Sequence, residues 1–96
     1  MDSSAIATRD RPEKSRYEMA VDGRLAGVAT YQLAGDQITL VHTKVARAFE
    51  GRGLGSRLAR DVLDDIRSRG LALRVECQFM ERYIRSHPAY QDLVAS

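Results

Sequence analysis

Three glycines at alternate positions, Gly51, Gly53 and Gly55, stand at the head of an amphipathic stretch in AFEGRGLGSRLARDVL (residues 48–63). Glycines so placed let backbone amides close in on an anion, and a helix starting there points its positive end at the same spot. Arg47, Arg52, Arg57 and Arg60 surround the turn with Glu50 as the only acid between 47 and 60, a local charge of about +3. An ordinary turn needs one glycine, and each extra one costs chain entropy on folding. The stretch therefore reads as a phosphate-type anion site, with an unliganded helix start as the plain alternative.

Two familiar phosphate loops are excluded. The dinucleotide pattern G-x-G-x-x-G fails, because counting from Gly51 puts Ser56 in the third position and counting from Gly53 puts Leu58 there. The nucleoside-triphosphate loop needs Gly-Lys-Ser/Thr at its end, which is missing.

The elements that must hold this turn are legible on both sides of it. RYEMAV (16–21) alternates, and Asp22-Gly23 is a hairpin signal. RLAGVATYQLA (24–34), a second turn at Gly35-Asp36 and the β-branched QITLVHTKV (37–45) complete an antiparallel meander. Leu54, Leu58, Val62 and Ile66 then recur every four residues, which predicts a helix from about Gly53 to Arg69 with Gly70 just past its end. LALRVEC (71–77) reads as a short strand, parallel to 37–45 through a right-handed crossover. FMERYIRSH (79–87) reads as a shorter helix stopped by Pro88. The fold class is α+β: an antiparallel meander leading into a βαβ unit, with a short C-terminal helix.

The 96 residues, 44% apolar and 29% charged, suit one domain, taken here as 16–96. Residues 1–15, polar and aperiodic, are expected to be a disordered leader. No apolar run approaches the ~20 residues of a membrane span, and the start lacks a signal-peptide core. A single cysteine, Cys77, forms no internal disulfide, so a reducing, cytoplasmic setting is expected. A net charge of +2 is too mild to argue for nucleic acid. No metal, membrane or nucleic-acid partner is expected, and the chain is taken as a monomer or weak homodimer.

VHTKVARAFEGRGLGSRLARDVLDDIRSRGL followed by CQFMERYIRSHPAY resembles the compact, roughly 90-residue branch of the GNAT acyltransferase superfamily, over about residues 16–93. The resemblance implies acetyl-coenzyme A held in a cleft between two parallel strands that splay apart. It places the pyrophosphate on the amides of Arg52, Gly53, Leu54, Gly55 and Ser56, after Gly51, and the pantetheine arm along the backbone near Val45. Glu50 falls where the wider superfamily has Gln or Arg, so its backbone rather than its carboxylate is expected to face the phosphates.

Acetyl transfer from a thioester to an amine needs a neutral amine, a polarised carbonyl and a proton for the leaving thiolate. His42 and Cys77 close the two parallel strands, so both side chains are expected at one rim of the sheet. Cys77 either accepts the acetyl group through its thiolate, with His42 lowering its pKa or acting as base, or lines the thioester site, or is a buried small residue. His42 is either functional or a rim histidine. The resemblance implies Tyr83 as proton donor to the thiolate, with a ring packed under its helix as the structural alternative. Two positions depart from the branch: Lys44 replaces an acid after His-Thr, and Gln78 replaces a proline after the cysteine. The expected function is transfer of acetyl from acetyl-coenzyme A to an unidentified amine of a small molecule or protein. The alternative is a module or sensor that binds acyl-coenzyme A without turnover.

Overall fold

The computed structural model of the chain describes residues 5–95. Five strands form one sheet in sequence order: β1 (Ile6–Arg11), β2 (Arg16–Val21), β3 (Arg24–Ala34), β4 (Gln37–Val45) and β5 (Ala72–Val75). The first four are antiparallel neighbours, and β5 lies parallel to β4. Helix α1 (Leu54–Ser68) makes the β4–β5 crossover, and α2 (Gln78–Ser86) follows β5. A 3-10 turn over Pro88–Leu93 leads to a tail in which Ala95 N–H donates to the Leu73 carbonyl at 2.8 Å.

Both helices cover one face of the sheet. Leu54, Leu58, Ala59, Val62, Leu63 and Ile66 of α1, with Met80 and Ile84 of α2, are buried against Tyr17, Met19, Ala29, Tyr31, Ile38, Leu40 and Leu73. Each such Leu or Ile contributes about 1.5–3 kcal/mol by leaving water. The four-residue apolar repeat read from the sequence is thus the inward stripe of α1.

The expected disordered leader is overturned where the structure describes it. Ile6–Arg11 is an edge strand, paired in full register with β2 from Ile6↔Val21 to Arg11↔Arg16. Residues 1–4 lie outside the described residues. The meander therefore has four strands, not three. Alternation hides this strand because two of its inward positions are polar and hydrogen-bonded instead of apolar. Thr8 Oγ1 donates to Asp61 Oδ2 at 2.7 Å, and the Tyr31 hydroxyl donates to Asp10 Oδ1 at 2.6 Å. Arg69 then joins Asp10 (3.0 Å) to Asp65 (3.2 Å), while the Tyr17 hydroxyl donates to Asp65 at 2.6 Å.

A one-residue bulge in β4 fixes which residues face the helices. Tyr31 pairs with Leu40 but Thr30 pairs with His42, which leaves Val41 as the extra residue. Ile38 and Leu40 face the helices before the bulge, Thr43 and Val45 after it. His42 and Lys44 consequently face the other side of the sheet, which no helix covers.

The tyrosine–carboxylate network predicts a loss of stability in alkali. Burial, then the hydrogen bond to Asp10, pushes Tyr31 up to about 12 from 10.0. The unfolded chain releases that proton first, so the contribution is intact below about pH 10 and lost as pH rises through about 12. Urea midpoints should fall steeply between about pH 10 and pH 12, and less steeply in Tyr31→Phe. Equal slopes in the two proteins would remove Tyr31 from the account.

Candidate functional site

Parallel pairing between β4 and β5 runs only from Gln37↔Ala72 to Leu40↔Val75. Glu76 N–H still donates to the Leu40 carbonyl at 2.8 Å, after which the two chains part. β4 continues to Val45, whereas the other chain turns into α2 with Cys77 as its N-cap. Past this point the β5-facing edge of β4 has no strand beside it. In an antiparallel ladder alternate residues direct their N–H and C=O away from the partner strand, so this edge offers unpaired backbone groups to a ligand.

Beyond β4, a 3-10 turn (Arg47–Phe49) leads into the glycine loop. Phe49 is buried beneath it, with the Arg24 and Arg52 guanidinium carbons 5.3 and 5.4 Å from its ring centroid. Gly53 is the N-cap of α1 at φ +74°, a left-handed conformation that favours glycine, and it caps no amide with a side chain. The first amides of α1, from Leu54 to Ser56, are the orphan donors of a helix start. They open beside the free edge of β4, in a field of arginines. Glu50 is exposed and donates its N–H to the Arg47 carbonyl at 3.2 Å.

The third glycine answers to packing. A Cβ on Gly55 would lie 3.0 Å from the Phe79 ring and 3.7 Å from Val45 Cγ2. Phe79, in the first turn of α2, thus lies against the first turn of α1, and Val45 closes the contact from β4. Along the groove between the helices runs a cavity of about 310 Å³ lined by Ser56, Phe79, Arg82, Tyr83, Ser86 and His87. The loop and the strand edge meet where Gly55, Val45 and Phe79 touch, and Ser56 and Phe79 carry that contact into the lining of this groove.

Of the three expected catalytic side chains, His42 and Cys77 lie on opposite faces of the sheet, and Tyr83 lies in the groove between the helices. Cys77 is buried on the helix side, where its Sγ lies 3.3 Å from Thr43 Oγ1. His42 is exposed on the opposite face, because the Val41 bulge reverses the facing of the strand. The single rim expected for His42 and Cys77 is therefore two sides of one opening, with Thr43 in the place expected for His42. Tyr83 lines the interhelical groove with Ser56 and stacks on His87 at 3.9 Å. Burial, aided by the charges of Asp64 and Asp61 and opposed by Arg60, pushes its hydroxyl above the ordinary tyrosine range. The hydroxyl therefore stays protonated. Lys44 is exposed beside His42's face, and Gln78 opens α2.

Alternation along β5 continues to its end. Leu73 and Cys77 are buried toward the helices, so Arg74 and Glu76 face the bare side, and both are exposed. The opening between the strands is framed by Thr43 and Cys77 on the helix side and by His42 and Glu76 on the other. Thr43, Glu76 and Phe79 were not singled out from the sequence. Only Phe79 had a signal, its i, i+4, i+7 spacing with Tyr83 and Ser86 on one face of α2.

Gly55→Val should cost about 1–3 kcal/mol, because the Phe79 ring must move. The cost should shrink in a Phe79→Ala background, as a double-mutant cycle by urea unfolding would show. Additive effects would mean that the ring does not dictate the glycine.

The sequence pattern of the GCN5-related N-acetyl-transferase family matches residues 16–93. Protein NATD1 of Homo sapiens is 33% identical over 89 residues, covering 86% of this chain and 79% of that protein. Protein NATD1 of Xenopus tropicalis is 29% identical over 99 residues, covering 97% and 91%. Among solved structures, a GCN5-like protein of Staphylococcus aureus superposes with a TM-score of 0.69 over 94% of this chain and 88% of that one, at 20% identity. The ribosomal-protein-S18-alanine N-acetyltransferase of Escherichia coli superposes with a TM-score of 0.57 at 28% identity, over 62% of this chain and 39% of that enzyme. The chain shares its fold with these two structures, and it belongs to the GCN5-related N-acetyl-transferase family.

Proposed function

We propose that the protein transfers the acetyl group of acetyl-coenzyme A to an amine. The observation that carries this reading is the parting of β4 from β5, with an uncapped, glycine-led helix start at its mouth. The amides from Arg52 to Ser56 hold the pyrophosphate, as oriented donors at the positive end of α1. The free edge of β4 at Val45 pairs with the amides of the pantetheine arm in place of a strand. The thioester supplies an activated acetyl carbon at the opening beside Thr43 and Cys77.

Direct attack suits this arrangement better than an acetyl-cysteine route. His42 and Cys77 lie on opposite faces, so the histidine is not placed to take the thiol proton. In the direct route the amine nitrogen bonds to the carbonyl carbon, and the carbon–sulfur bond breaks. The amine proton passes to His42 on the bare side, and the Tyr83 hydroxyl gives its proton to the departing thiolate from the groove. The setting proposed is the cytoplasm.

Calorimetric titration with acetyl-coenzyme A tests the loop. Gly53→Ala imposes strain at φ +74°, and Gly53→Glu imposes the same strain plus a negative charge. Saturable binding is expected in the wild type, with Gly53→Glu weaker than Gly53→Ala by about tenfold or more. Equal affinities would move the phosphates off the loop. Intact mass after incubation separates the routes: direct attack predicts no acetyl adduct, and an adduct absent in Cys77→Ala would establish the covalent one. Binding without turnover over a panel of amines would favour the sensor reading, for which the exposed Lys44 in place of an acid is the argument.

A further inference from the structure

We propose that the bare face of the sheet is a docking surface for an acidic polypeptide, which carries the acceptor amine to the opening between β4 and β5. The naming of this segment as acceptor rests on the acetyltransferase reading, whereas the docking itself does not.

Register lays the side chains of this face out in rows across the strands. One row runs Arg11–Arg16–Thr30–His42, because each residue is the cross-strand partner of the next. The row beside it runs Arg9–Glu18–Val28–Lys44 by the same pairings. With Arg74 on β5, the face holds five cations against two carboxylates, Glu18 and Glu76. Glu18 is already engaged by three cations: Arg16 at 2.6 Å, Arg11 at 3.3 Å and Lys14 at 3.9 Å. Those contacts, the Arg16 hydrogen bond first, hold its carboxyl below the ordinary glutamate range. Among the described residues, Arg9, Lys44 and Arg74 make no ion pair, so three cations are free to meet acidic groups.

The floor between the cations is apolar and shaped. Leu25 is 50% exposed, and with Ala7, Ala20 and Gly23 it lines a cavity of about 290 Å³ whose rim is Arg9, Arg11 and Glu18. A second cavity of about 130 Å³ shares Leu25 and extends past Val28 to Lys44 and Ala46, toward the opening. Aliphatic hollows rimmed by cations fit a segment mixing acidic and aliphatic side chains. Four strands at about 4.8 Å spacing span about 14 Å, the length of roughly four extended residues, so a short segment crosses from Arg11 to His42.

Nucleic acid fits this face less well. All six aromatic residues, Tyr17, Tyr31, Phe49, Phe79, Tyr83 and Tyr90, lie in or against the core on the helix side, leaving no platform for stacked bases. The placing of Glu76 points the same way. Among the described residues it makes no ion pair, and it stands at the opening, where an incoming ammonium group is to be held beside His42.

The test uses two synthetic peptides of about eight residues, each with a free α-amine, alternating Leu with Glu in one and Leu with Gln in the other. Their anisotropy is followed on the wild type, Arg9→Glu, Arg9→Gln and the Arg9→Glu/Arg11→Glu pair, at about 0.05 and 0.3 M salt. The acidic peptide should bind in preference to its Gln counterpart, weaken with salt, and lose about tenfold or more in the double reversal. Arg9→Gln should fall between, and all four proteins should bind acetyl-coenzyme A alike, which shows that they fold. No preference for the acidic peptide, indifference to the reversals, or tighter binding of an oligouridylate of equal length would each overturn the proposal. Peptide binding that responds to the reversals in a protein that takes up no acetyl-coenzyme A would uphold the docking face and sink the transferase reading instead.

Discussion

The hydrogen bond from Glu76 N–H to the Leu40 carbonyl is the last that joins the two parallel strands, and the site exists because nothing follows it. Two local events keep the ladder from continuing. On one strand the Val41 bulge bends β4 and changes which residues face the helices. On the other, the chain leaves the sheet at Cys77 to begin α2. A sheet normally covers or pairs its polar edges, since unpaired N–H and C=O groups are costly in a dry interior. Here the edge of β4 is left open toward the groove between α1 and α2, where a chain-like ligand can complete it.

The two faces of the sheet are divided with equal clarity. The helix side takes every aromatic ring and satisfies its polar groups internally, through Asp10, Asp65 and Arg69 with the tyrosine hydroxyls. Those contacts fasten β1 to α1 by charge-assisted hydrogen bonds where apolar contacts are few. The bare side keeps its arginines and aliphatic side chains in water. A ligand entering between the strands therefore meets backbone and aromatic surface from one direction and charged side chains from the other. The opening framed by Thr43, Cys77, His42 and Glu76 is the passage between these environments.

Most of the architecture was legible because period and punctuation agreed. The four-residue repeat of α1, the Asp22-Gly23 hairpin and the return to strand after Gly70 each rest on local physics that packing reinforces. Two things were hidden. β1 escaped notice because Thr8 and Asp10 occupy inward positions as hydrogen-bonding groups, so the apolar alternation that marks a strand is absent. The facing of His42 escaped because a bulge inserts one residue without a glycine or proline to announce it; the strand reads VHTKV straight through. In a strand of period two, that one residue moves a side chain to the opposite face. The glycine loop was visible as a motif, but not its division of labour. Gly53 answers to backbone conformation and Gly55 to the Phe79 ring, a contact between residues 24 apart that only the fold supplies.

The same division bears on what such a small fold can specify. The loop and the cleft are built largely from backbone: amides at a helix start and the edge of a strand. Their geometry depends on φ and ψ at a few positions, so many sequences can supply it. The bare side, where we place the acceptor, is built from side chains on a single exposed sheet face, where a substitution costs little stability because nothing packs on it. Lys44, Glu76 at the opening and the arginine row from Arg11 to Arg16 all lie on that second surface. A substitution there leaves the cleft undisturbed, and the charge of the bare face is the part of the opening's surroundings most free to change.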